Sequence, residues 1–96
     1  MATLVVGAGA TGGYLADRLG AAGRDVTMLV RPATQARLVR SGIRFRDPDG
    51  ATRVMTVATV TRDRLPATAD LVIVAVRSDA VDTAIEDFSP VVGPTT

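Results

Sequence analysis

The chain has 96 residues, 47% of them hydrophobic but only 3% aromatic, and a net charge of +1. One small domain with a core of Val, Leu, Ile and Ala follows, and disorder, a base-stacking nucleic-acid surface and a membrane-spanning run are all excluded. Cysteine is absent and all 11 basic residues are Arg, so disulfides, thiol chemistry, Cys-based metal sites and any Lys or His catalyst are excluded too.

The first element expected is a strand, Thr3-Leu-Val-Val6, which runs into Gly7-Ala8-Gly9-Ala10-Thr11-Gly12-Gly13 and then into a helix-forming stretch. Nothing at this start resembles a basic, apolar and cleavable leader, so an unexported, cytoplasmic protein is expected. The spacing is that of a dinucleotide-binding turn: Gly7 permits the tight exit from the strand, Gly9 lets backbone approach a pyrophosphate, and Gly12 lets the helix pack closely on the sheet. The free N–H groups of the helix start, around Ala8, Ala10 and Thr11, would face the phosphates. Downstream, Gly12, Leu15, Ala16, Leu19 and Ala22 fall on one apolar stripe at helical period, and Gly23 is a natural stop.

A second strand, Val26 to Val30, completes a β-α-β unit, and Arg31-Pro32 opens a short helix that runs to about Ser41 and stops at Gly42. Ile43 and Phe45 alternate with Arg44 and Arg46 as in a half-buried strand, Asp47-Pro48-Asp49-Gly50 makes a turn, and Thr52 to Val60 reads as the returning strand of an antiparallel hairpin. Arg62 to Asp70 is a connection. The apolar run Leu71 to Val76 reads as a central parallel strand buried on both faces. Ser78 is a candidate cap for a last helix with Val81, Ala84, Ile85 and Phe88 on one face, broken by Pro90, Gly93 and Pro94. The order predicts an α/β, Rossmann-like domain over residues 1–96: a mostly parallel sheet with an antiparallel hairpin excursion, truncated where another strand is expected.

Cofactor choice can be read at the end of the second strand. An NAD site carries an acid there, about twenty residues past the glycine turn, but this chain has Met28-Leu29-Val30-Arg31, and Asp25 stands at the wrong end. The fixed charge and planar fork of Arg31 suit a 2′-phosphate and favour NADP(H); its alternative is a solvated strand-end charge. Arg77, just past the apolar run, is a candidate cofactor contact or an ordinary surface charge, whereas Ala75 and Val76 read mainly as strand packing. Arg37, Arg40, Arg44, Arg46 and Arg53 read as a solvated face, Asp79, Asp82, Glu86 and Asp87 as surface acids without a metal, and Tyr14 as a packing residue rather than an acid.

The segments GAGATGGYLADRL, LVR, SGIRF, DPDG and DLVIVAVR, in that order, resemble the ketopantoate reductases (2-dehydropantoate 2-reductases) over nearly the whole chain. The resemblance implies the N-terminal, NADPH-binding half of an enzyme that reduces 2-dehydropantoate to pantoate in pantothenate biosynthesis. It also assigns Arg31 to the 2′-phosphate and implies that Arg77 stands where such enzymes usually carry a cofactor-contacting Lys. The family's general-acid Lys, its substrate-binding Glu and a substrate-side Asn have no counterparts in these 96 residues. No catalytic residue is therefore expected here, and a 2-keto acid would bind only with the helical C-terminal domain. Two alternatives stay open: a stand-alone nucleotide-binding sensor or assembly module, and the cofactor domain of another hydroxyacid or sugar dehydrogenase. An unpaired sheet edge would also favour a homodimer.

Overall fold

A computed structural model describes residues 2–7 and 9–96, so Ala8 of the glycine turn lies outside the described residues. The first strand, β1 (Ala2–Val6), is followed by α1 (Ala10–Ala21), β2 (Asp25–Leu29) and α2 (Pro32–Ser41). Gly23 and Gly42, both at positive φ, end the two helices as expected. The strand β1 pairs in parallel with β2, from Ala2 opposite Asp25 to Val6 opposite Leu29.

The next stretch departs from the sequence reading. The hairpin strand β3 (Ile43–Arg46) returns as β4 (Thr52–Met55), but the chain then changes sheets, and β5 (Ala58–Val60) pairs in parallel with β2. Thr52 to Val60 is thus two strands, not one, and the hairpin is a separate two-stranded sheet. Alternation of Thr and Val is the same for any half-buried strand and carries no information about its partner, so the switch at Thr56-Val57 left no mark in the pattern.

A short 3₁₀ turn (Arg62–Arg64) leads to β6 (Leu71–Val74), which pairs in parallel with β1 and gives the strand order β5-β2-β1-β6. Its expected burial on both faces does not hold: among the described residues β6 pairs on one side only, and Leu71 and Val74 are exposed. The last helix, α3 (Val81–Phe88), begins after a 3₁₀ turn over Ser78–Ala80, so the Ser78 side chain does not cap it. Ala84 is buried and Val81 and Phe88 are half-buried, while Ile85, expected on the same inner face, is exposed.

The core divides across the parallel sheet because side chains alternate along each strand. Leu4, Val6 and Leu29 point to one side and pack with Ala69, Ala84 and Val91; Val5, Val26, Met28 and Val30 point to the other and meet Ala16 and Leu38. Helices therefore cover both faces, α3 on the first and α1 with α2 on the second, as in a doubly wound domain. No helix among the described residues is long and apolar enough to cross a membrane.

Candidate functional site

From β1 the strand order runs outward through β2 to β5 and then restarts on the other side at β6, so it reverses between β1 and β6. In open parallel sheets ligands bind at such a reversal, beyond the carboxyl ends of the strands. A cleft of about 550 Å³ lies there, with Val6, Gly7, Leu29 and Val30 as an apolar floor. Arg31, Pro32 and Thr34 form one wall, Thr61, Arg62 and Asp63 the next, and Val76, Ala80, Thr83, Ala84 and Asp87 the third.

The neighbouring strands draw the glycine turn tight. The Gly7 N–H donates to the Leu29 carbonyl at 3.1 Å, and the Ala75 N–H donates to the Val6 carbonyl at 2.9 Å. Gly7 has φ of +105°, and a side chain there would stand 2.6 Å from the Ala75 carbonyl oxygen. Glycine is required at this position by both backbone conformation and space. Gly12 is buried, and a β-carbon on it would collide with the Gly7 carbonyl, so the helix start and the turn are in direct backbone contact.

Gly9 differs. It has φ of −69° and, among the described residues other than its chain neighbours, no atom within 4 Å of where its β-carbon would be. Among the described residues nothing demands glycine there, which fits a backbone left bare for a group that comes close. Gly9 is also the N-cap of α1, with no side-chain cap and no acidic residue in the first turn. The N–H groups of this turn, beside the exposed Thr11, keep their positive end for an anion. Ala10 starts the helix.

Arg31 is exposed at the N-cap of α2, with Pro32 following, and makes no ion pair with any described residue. Asp25, the nearest acid on β2, lies opposite Ala2 at the far end of the strand. The cleft thus joins Gly7 to Arg31. Arg77 is not brought into it: its side chain is exposed and lies 3.5 Å from Asp79.

Two further residues differ from their sequence reading. Tyr14 is 58% exposed rather than packed, and lines a smaller hollow of about 350 Å³ with Gly9, Gly13 and β3. Arg53 is exposed, as expected, but is more than a solvated charge: its Nη1 and Nη2 donate to the two carboxylate oxygens of Asp17 at 2.7 and 2.9 Å, and its guanidinium lies 5.0 Å from the Phe45 ring centre. Asp17 is buried on α1, and this hydrogen-bonded pair holds its carboxyl below the ordinary value while raising that of Arg53. The pair fastens the hairpin to the helix that carries the glycine turn.

Thr61, Arg62, Asp63, Thr83 and Asp87 are cleft residues that sequence reasoning missed. The first three follow β5, and a hairpin strand would have carried them away from the carboxyl edge of the parallel sheet. Had β5 been placed beside β2, the position of Arg62 next to Arg31 would have followed from register.

Known proteins resemble this chain in sequence and fold. The chain is 34% identical over 90 residues to the uncharacterized oxidoreductase YkpB of Bacillus subtilis (strain 168) and 30% identical over 94 residues to the 2-dehydropantoate 2-reductase of Mesorhizobium japonicum. These matches cover 94% and 97% of this chain but 29% and 28% of the relatives, so the chain spans under a third of their length. Among solved structures, a Ralstonia solanacearum MolK2 protein assigned as a ketopantoate reductase is 39% identical, with a TM-score of 0.82 over 98% of this chain and 29% of that one. With a match that runs from residue 3 to residue 96, the chain belongs to the ketopantoate reductase PanE/ApbA family.

Proposed function

We propose that residues 1–96 are the NADP(H)-binding portion of an oxidoreductase that reduces 2-dehydropantoate to pantoate, the reductive step of pantothenate biosynthesis, in the cytoplasm. The observation that carries the cofactor assignment is Arg31: a guanidinium with no ion pair among the described residues stands on the cleft rim where an NAD site needs a carboxylate. In this reading the backbone at Gly7, Ala8 and Gly9 and the first turn of α1, through Ala10, Thr11 and Gly12, hold the pyrophosphate. Arg31 grips the 2′-phosphate, and the apolar floor supports the adenosine. Arg77 reaches the nicotinamide side by leaving Asp79, to which it is held only by a loose, exposed pair.

NADPH, held by these residues, would supply the hydride for reduction of a carbonyl carbon. The alkoxide that forms needs a proton and a charge partner. The chain has no Lys or His and its one Tyr lies outside the cleft, which supports a reading in which the proton donor is not among these residues. They bind and orient the cofactor, and the 2-keto acid and the proton donor belong to the remainder of a whole enzyme. Calorimetric titration of the chain with NADPH and NADH tests this: preferential NADPH binding is expected, and binding of neither by the folded chain would contradict it.

A further inference from the structure

Arg62 is the one other cation on the cleft wall, and register places it beside Arg31. Leu29 of β2 is paired with Val60 of β5, and the Val30 N–H donates to the Val60 carbonyl at 3.0 Å. Arg31 and Arg62 are each two residues beyond that rung, one at the start of α2 and the other in the 3₁₀ turn, so both chains leave the same edge of the sheet from neighbouring strands. Two guanidinium groups brought together from these positions would repel each other unless an anion lay between them.

The charged groups facing Arg62 are few. Arg31 comes from the start of α2, Asp63 follows it in the chain, and Asp87 projects from α3 across the cleft. Arg62 Nη1 lies 3.6 Å from Asp87 Oδ1, beyond hydrogen-bond distance, with the two side chains 71% and 28% exposed. A single contact of that length is a weak tether and leaves most of the five guanidinium donors unused.

We propose that Arg62 is a second specificity residue for the 2′-phosphate: it is parked against Asp87 in the free protein and swings to join Arg31 when a 2′-phosphorylated adenosine enters. This inference rests on the reading of the cleft as a dinucleotide site. The exchange gives up a loose ion pair and gains a charge-assisted contact with a dianion. Asp87 thereby tunes selectivity, because whatever holds Arg62 more firmly in the free protein weakens its hold on the phosphate.

The test is titration of the wild type, Arg62→Ala, Asp87→Asn and the double variant with NADPH and with NADH, each protein being checked for folding by circular dichroism. Arg62→Ala is expected to weaken NADPH binding by about five- to tenfold and leave NADH unchanged, while Asp87→Asn strengthens NADPH binding by about two- to threefold. In the Arg62→Ala background the Asp87→Asn gain should vanish. Equal losses for both cofactors in Arg62→Ala, no loss at all, or an Asp87→Asn gain that persists in full in the double variant would overturn the exchange. Failure of the underlying reading looks different, since the wild type itself would then bind neither cofactor.

Discussion

The glycine turn reaches the floor of the cleft through Gly7, and the segment from Thr52 to Asp63 reaches one wall through Thr61, Arg62 and Asp63, but their structures are set in different ways. In the turn, glycine itself carries the structure: Gly7 has a backbone angle, and a clearance from Ala75, that only glycine meets, and Gly12 abuts the turn. Along 52–63 the same residue types, Thr, Val and Arg, serve two sheets and a cleft wall, and only pairing with β2 decides which. A short motif whose chemistry lies in its own backbone can be read locally, whereas a strand is defined by its partner.

The largest effect that would break this contrast is expected at the turn. Gly7→Ala forces a positive φ on a residue with a side chain and drives a carbon into the Ala75 carbonyl, and should cost roughly 3 kcal/mol in urea unfolding. Gly9→Ser is its control: with open space around it at the N-cap, stability should hold or rise by up to about 1 kcal/mol while dinucleotide binding weakens. Equal losses of stability at the two positions would remove the distinction between a glycine the fold needs and one a ligand needs.

The second region is tested by two valines. Were residues 52–60 one strand, Val54 and Val60 would share a face and cost the same to truncate. In the structure Val54 is 57% exposed, whereas Val60 packs against the cluster containing Leu4 and Leu29. Val60→Ala should therefore lower stability by about 1 kcal/mol and Val54→Ala by a few tenths at most. Equal costs would restore the single strand.

A smaller effect joins the two regions through Asp17 and Arg53. Because the folded-state pKa of Asp17 lies below its ordinary value, the stability from its charge is present above the usual carboxylate range and is lost as pH falls through the folded value. Asp17→Asn should thus lower the urea midpoint at pH 7, and the gap from the wild type should close below about pH 4. A gap independent of pH would mean that the pair acts through packing alone.

The sequence disclosed most of the first region. The β-α-β unit, both helix stops, the bounds of α2 and the outward face of Arg44 and Arg46 all rest on glycine, proline and periodicity, which act within a few residues. The place of Arg31 on the cleft was legible for the same reason, two residues past a strand whose position the motif determines. Arg53, Arg62 and Asp87 were not, because their partners lie 36 or 25 residues away, across a sheet boundary or on another helix. The apolar run of β6 misled in a related way: its composition suits a strand with neighbours on both sides, but burial depends on which neighbours are there.

The measurement that bears most directly on the central claim is the ratio of NADPH to NADH affinity in the wild type and in Arg31→Ala, by calorimetric titration of the folded chain. A guanidinium on the 2′-phosphate predicts a wild-type preference for NADPH of at least about tenfold that collapses towards unity in the variant, with NADH affinity little changed. A wild type that binds both cofactors equally, or a preference that survives Arg31→Ala, would contradict the assignment of Arg31 and with it the reading of this cleft as an NADP(H) site.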